Sequence, residues 1–371
     1  MYNKFLLPSG FKDSLTFETF IEHEYKNLII NSFRENGFTL IKTPLIEFSN
    51  NLDKNTFFIK TNNKKEKISV RNDITPQIIR IASSRLANKK RPLKLCYYGE
   101  VVRKKGSILR PERQFQQVGA EIIGSESYKA DVEIISLAYE TLKKIGVKNI
   151  VIEISAPFLL NSLIQKVKNF KLKNNIKKFI ALKDISNCLK LIEDSELSKH
   201  FKLLYLCNGN IKKNKFKINK ISSVFGFENE INRLLKIAEL IKVKKNDSIN
   251  LDLFDIQKNK KYYEGIKFTF FAKGVRGEIA GGGRYNLKYE KNSENAIGYT
   301  CYMDTILRAS SFANNNNKIL IPFDTDNKTK NTLIKKGFTI FKNFEDNIDL
   351  KLQSKKYGIR YFLLGKKVKE A

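Results

Sequence analysis

Two strand-like runs, residues 93–102 (LKLCYYGEVV) and 115–123 (FQQVGAEII), stand either side of a polar, basic stretch at 103–114. Their aromatic and β-branched content predicts an antiparallel hairpin whose long loop is mobile at its tip. Gln117 and Glu121, four apart on the returning strand, share one face of it. A chain built on this hairpin needs helices to cover its sheet, and helical spacing elsewhere supplies them, so the class is α+β.

Apolar residues recur at helical spacing over 15–36 (Phe17, Phe20, Ile21, Tyr25, Leu28, Ile29, Phe33), with Gly37 as a stop. Residues 38–48 read as an edge or irregular strand because Pro44 interrupts them. Residues 67–70 predict a strand, 73–88 a helix with Pro76 in its first turn, 128–145 a helix closed by Gly146, and 149–155 a strand. A lysine-rich helical insertion spans 157–245, and strand character returns at 250–255 and 262–271. Gly281–Gly283 read as a glycine turn, and 297–308 close the core with a helix at the end. After the asparagine tract at 314–317, residues 316–371 follow a βαβαβ pattern, a small three-stranded parallel α/β unit appended to a 1–315 core.

The formal charge is +31, which raises nucleic-acid binding as a possibility. Yet only 13 of the 69 basic residues are arginine, and the lysines are mixed with Asn and Ile, as an A+T-rich genome writes on solvated surfaces. No apolar run reaches the roughly 18 residues of a membrane span, and no secretory signal is legible, so a cytoplasmic protein with no membrane contact is expected. Cys96, Cys188, Cys207 and Cys301 lack metal-site spacing and His23 and His200 are the only histidines, so neither a metal, a His-based triad nor a cofactor is expected.

Asp73, Thr75, Arg103, Gln117, Glu121, Tyr263 and Tyr285 suit an amino-acid pocket if the fold brings them together. Carboxylates take an ammonium, an arginine takes a carboxylate, and Tyr and Gln hold a polar side chain. Gln117, Glu121 and Arg103 could equally be satisfied structural residues, Tyr262 a packing residue, and Lys258 and Lys261 surface lysines.

The ordered set LLPSGFKD, GFTLIKTPLIE, RNDITP, CYYGEVVRKK…ERQFQQVGAEIIG, YYEG and GGGRYN resembles the class II histidyl-tRNA synthetase core over residues 6–308. The resemblance implies a mixed, largely antiparallel six-stranded sheet with flanking helices, dimerising through the segment containing Pro44, and residues 316–371 as a shortened anticodon-domain remnant. It covers two subfamilies, the aminoacylating enzyme and the regulatory subunit of short-form ATP phosphoribosyltransferase. Where the enzymes read Phe-Arg-x-Glu, this chain has Val102-Arg103-Lys104-Lys105; a loop arginine is replaced by Pro111, and the motif 3 arginine by Thr305. The histidine-specific signature carries Lys258 for its Arg and Lys261 for its Asp. Adenylation needs positioned cations around phosphorus, so these losses remove most catalytic power.

The seven pocket residues match the family's histidine-binding positions, Asp73 standing for a Glu. The regulatory branch therefore implies a non-catalytic subunit that joins a short ATP phosphoribosyltransferase catalytic subunit for the first step of histidine biosynthesis. It implies L-histidine as effector, a homodimer within a hetero-octamer, and no tRNA binding. The alternative is a divergent histidyl-tRNA synthetase.

Overall fold

A computed structural model of the 371-residue chain describes residues 5–48, 55–62, 66–256, 265–288, 293–310, 317–346 and 349–371. Two compact units divide it at residues 311 and 312. The expected boundary at 315 falls among residues outside those described.

The first unit opens with α1 (Thr16–Glu35). Its Ile21, Tyr25, Ile29 and Phe33 recur every four residues and are all buried, each fully buried side chain contributing about 1.5–3 kcal/mol. The expected strand at 38–48 divides around Pro44 into β1 (Thr39–Ile41) and β2 (Ile46–Phe48), followed by β3 (Phe57–Ile59) and β4 (Ile68–Val70). Next come α2 (Thr75–Ser83), β5 (Leu93–Val102), β6 (Gln114–Ile123), α3 (Tyr128–Lys144) and β7 (Ile150–Ser155). Helices α4 (Pro157–Lys166), α5 (Phe170–Ala181), α6 (Ile185–Lys190) and α7 (Ser195–Leu206) lead to β8 (Gly209–Asn210), α8 (Ile211–Phe225) and α9 (Glu228–Leu240). In this lysine-rich stretch Asn169, Asp184 and Asp194 accept hydrogen bonds from first-turn amides, which fixes where α5, α6 and α7 begin. The unit ends with β9 (Ser248–Leu251), β10 (Lys267–Ala272), β11 (Ala280–Lys288), β12 (Ser293–Tyr302) and α10 (Met303–Ala309).

Nine strands form one sheet in the order β1-β5-β6-β12-β11-β10-β7-β9-β8. Its central six, β5-β6-β12-β11-β10-β7, pair antiparallel, while β1 joins β5 and β9 joins β7 in parallel. The mixed, largely antiparallel sheet is thus as expected, extended at both edges. Alternation gives the sheet two faces. Cys96, Val118, Ala120 and Ile122 pack with α1 and α3, whereas Leu95, Tyr97, Val101, Phe115 and Ile123 pack under α2. Strands β2, β4 and β3 make a separate antiparallel sheet.

Three local expectations change. The helix predicted over 73–88 stops at Ser83, because the Ser83 and Ser84 hydroxyls both bond back to the Arg80 carbonyl and compete with further helix. The strand predicted at 250–255 ends at Leu251, where Asp252 Oδ1 accepts from the Phe254 amide and turns the chain. Gly281–Gly283 are not a turn but lie within β11 near its start, none with positive φ. Close strand approach explains them: a Cβ on Gly282 would lie 2.1 Å from the Gly298 carbonyl oxygen. The 103–113 loop is tied down on its returning side, with Arg110 buried and Arg113 bonded to the Ser9 carbonyl, while its tip at 104–109 is exposed.

In the second unit β13 (Lys318–Ile321), α11 (Asn327–Lys335), β14 (Thr339–Lys342), α12 (Leu350–Lys356) and β15 (Tyr361–Leu364) follow the βαβαβ pattern. A further strand, β16 (Lys367–Glu370), pairs antiparallel with β15, so the sheet has four strands in the order β14-β13-β15-β16.

Candidate functional site

The segment Arg71–Thr75 bridges from β4 to α2 across the α2 face of the sheet. Buried Arg71 fixes it: Nε donates to the Glu100 carbonyl at 2.7 Å and Nη1 to Thr43 Oγ1 at 2.8 Å. Gly99 makes room, since a Cβ there would sit 2.0 Å from the guanidinium. Pro76 then starts α2, where a missing N–H costs nothing, and Ile74, Ile78 and Ala82 anchor the helix on the sheet.

Asp73 and Thr75 are thereby held over Gln117 and Glu121 of β6, beside Tyr285 of β11 and Arg103 at the end of β5. All six line one cavity of about 310 Å³, together with Asn72, Thr300 and Tyr302. Glu121, 1% exposed, accepts from Tyr285 Oη at 2.8 Å, Thr75 Oγ1 at 3.1 Å and Tyr97 Oη at 3.4 Å. Tyr97 Oη also lies 2.8 Å from Thr300 Oγ1. Gly298, opposite Glu121 on β12, is obligatory: a Cβ there would fall 1.6 Å from Glu121 Oε2. Gln117 Oε1 accepts from the Ile74 amide at 3.2 Å, which turns its side chain to donate to Asp73. Across the cavity, the Arg103 guanidinium makes no hydrogen bond among the described residues and lies over the Phe115 ring.

Burial raises the Asp73 pKa, opposed by the positive charge of Arg103 and by hydrogen bonds from Gln117 and two backbone amides. Burial pushes Glu121 up to about 8, against the hydroxyls of Tyr285 and Thr75, with the Asp73 charge adding to the rise. The cavity therefore offers two carboxyl groups, of which Glu121 holds its proton up to about pH 8, and a guanidinium with no hydrogen bond among the described residues.

One consequence is measurable. Between pH 4.5, where an unfolded glutamate releases its proton, and about 8, the folded chain keeps that proton. The unfolded state binds fewer protons there, so unfolding free energy falls as pH rises through this window, and Asp73 acts in the same direction. Urea titrations at several pH values are expected to show that slope in the wild type and a flatter one in Glu121→Gln; equal slopes would contradict the assignment.

Tyr263 lies outside the described residues, as do Tyr262, Lys258 and Lys261. Arg284, in the same glycine-rich run as Tyr285, faces away from the cavity and pairs with Asp131. Sequence reading missed Tyr97, Thr300 and Tyr302. The signal for Tyr97 was Gly119, an interior strand glycine directly opposite it, where a Cβ would come within 2.4 Å of the Tyr97 hydroxyl. Thr305 accepts from Arg110 and offers no cation of its own. Among the described residues no group of three His, Cys, Asp or Glu side chains is placed to hold a metal, and no helix is long and apolar enough to cross a membrane.

The family model for histidyl-tRNA synthetase matches residues 10–306. An ATP phosphoribosyltransferase regulatory subunit from Rhodospirillum centenum is 28% identical over 375 residues, 98% of this chain and 96% of the relative. Another, from Rhodospirillum rubrum, is 30% identical over 316 residues, 81% of this chain and 80% of the relative. The crystal structure of an ATP phosphoribosyltransferase regulatory subunit/histidyl-tRNA synthetase from Bacillus halodurans matches with a TM-score of 0.79 at 20% identity, over 96% of this chain and 97% of that one. By the family model over residues 10–306 and the 30% identity to the Rhodospirillum rubrum relative, the chain belongs to the histidyl-tRNA synthetase family and, within it, to the ATP phosphoribosyltransferase regulatory subunits.

Proposed function

We propose that the chain is the non-catalytic partner of a short ATP phosphoribosyltransferase catalytic subunit in histidine biosynthesis, and that L-histidine is its effector, bound in the cavity between α2 and β6. One observation carries this reading: Asp73, Gln117, Glu121 and Tyr285 converge opposite Arg103, whose guanidinium makes no hydrogen bond among the described residues, in a space of about 310 Å³, while position 305 holds a threonine and supplies no guanidinium of its own. A cavity near the lower end of the roughly 300–1,000 Å³ range of ligand sites suits one amino acid. The ligand ammonium goes to Asp73, Thr75 and Gln117, its carboxylate to Arg103, and its side chain to Glu121 and Tyr285, with Tyr263 completing the set.

Histidine acts by binding one state of the complex better than the other, and its leverage equals that difference in affinity. The complex is a hetero-octamer of regulatory and catalytic dimers. Self-association uses the β2-β4-β3 sheet, whose exposed Ile46, Phe48 and Ile59 share one face by register, an apolar face next to Pro44. Residues 316–371 are an appendage to the 1–315 core. Neither tRNA nor a cofactor takes part, and the complex is cytoplasmic.

The test is to add the purified chain to the short catalytic subunit and measure phosphoribosyl transfer with and without histidine, with a parallel arm of ATP, histidine and tRNA. Stimulation that histidine reverses is expected. Histidyl-tRNA formation would overturn the reading in favour of a divergent synthetase, and absent stimulation would overturn the partner assignment.

A further inference from the structure

Two arginines lie over the ring of Phe115, Arg103 at 4.8 Å and Arg110 at 5.1 Å, and they are in opposite states. Arg110, 6% exposed, has its donors occupied: Nε to Asp304 Oδ2 at 3.1 Å, and Nη2 to the Glu278 carbonyl at 3.0 Å and to Thr305 Oγ1 at 3.2 Å. The Glu278 carboxylate is 3.7 Å from Nη1, and the guanidinium is stacked 3.9 Å from the Tyr302 ring centroid. A cation so neutralised is not available to a ligand anion. Arg103 is half-buried at the cavity wall with no hydrogen bond or ion pair among the described residues, which suits it to a ligand carboxylate.

We propose that Arg110 is a positioning residue that keeps Arg103 turned into the cavity; the proposal rests on reading that cavity as an amino-acid site. The loop between them is closed on itself: the Arg103 amide donates to the Arg113 carbonyl at 2.7 Å, and the Ser107 amide to the Arg110 carbonyl at 2.7 Å. Gly106 permits this fold, since a Cβ there would meet the Pro111 carbonyl oxygen at 2.5 Å. Arg110 then bolts the closed loop to α10 and to the Phe115–Tyr302 wall, two rings meeting edge to face at 6.2 Å. Without Arg110, the Tyr302 ring loses the cation stacked on it, and the buried Asp304 carboxylate is left with the partly exposed Arg308 at 3.6 Å. Arg103, unpaired beside the same rings, turns to replace Arg110 and leaves the cavity.

The test compares histidine with histidinol, which lacks the carboxylate, by calorimetric titration of the full chain. Wild type is expected to prefer histidine by about 30-fold or more, the scale of one charge-assisted contact. Arg103→Ala and Arg110→Ala are each expected to shrink that preference to about 5-fold or less, and the double variant to shrink it no further than Arg103→Ala alone. Arg110→Lys, a milder change should the alanine variant not fold, is expected to give an intermediate ratio because an ammonium cannot reproduce the planar fork. A preference lost in Arg103→Ala but intact in Arg110→Ala or Arg110→Lys overturns the positioning role while leaving the cavity reading standing. A preference unaffected by Arg103→Ala, or no histidine binding by wild type, overturns the cavity reading and this proposal with it.

Discussion

Glu121→Ala is expected to weaken histidine binding by at least about 100-fold, roughly 3 kcal/mol, in a calorimetric titration. The carboxyl group is 1% exposed and is the shared acceptor for the hydroxyls of Tyr285, Thr75 and Tyr97. Removing it deletes the polar group proposed to face the ligand side chain, and it leaves three hydroxyl groups to find new acceptors in a closed space. The fold itself should suffer much less. Burial makes the folded chain hold at neutral pH a proton on Glu121 that the unfolded chain has released, so losing the carboxyl group relieves that cost and offsets part of the orphaned hydrogen bonding. Thermal melts of the free protein are therefore expected to move little while affinity collapses. Affinity unchanged from wild type would place the effector elsewhere.

The residues that make this site were legible in the sequence to the extent that local chemistry announces itself. Gln117 and Glu121 share a face by strand period alone, and Pro76 marks the start of α2, so their placement follows from short-range rules. Convergence was a different matter. That α2 crosses β5 and β6 at the height of Glu121 depends on Arg71 reaching the Glu100 carbonyl and Thr43, and no spacing pattern encodes those long-range bonds. The glycines misled for a related reason. Gly281–Gly283 look like a turn because glycine permits positive φ, yet Gly282 is there for the bulk it lacks against the Gly298 carbonyl. Arg110 was invisible as a structural residue because loop arginines in a chain of +31 charge look like solvated cations. Its burial depends on Asp304 and Glu278, both more than 160 positions away.

Asp131→Ala is expected to destabilise the chain by about 3–5 kcal/mol, the usual cost of breaking a buried ion pair from one side. Asp131, 0% exposed on α3, receives Arg284 Nε from β11 at 2.8 Å and Arg233 Nε from α9 at 3.1 Å. The two arginines differ in what they lose. Arg233 is about one-third exposed and can turn to water, whereas Arg284 is buried and keeps the carbonyls of Ser125 and Ser127 and the weaker attraction of Glu126. Most of the cost therefore falls on Arg284, a buried charge that loses its directly bonded counterion. Asp131→Asn, which retains acceptors but not the charge, should cost less than alanine and more than nothing. The lesion also has a route to the cavity, because Arg284 precedes Tyr285 and the two project to opposite faces of β11. Slack on the Arg284 side shifts the hydroxyl that bonds Glu121, so histidine affinity should fall along with the urea midpoint. Glu121→Ala, by contrast, should lose affinity with its midpoint nearly unmoved. A normal midpoint in Asp131→Ala would mean that the triad adds nothing to stability, and normal affinity in a destabilised variant would mean that β11 holds Tyr285 without it.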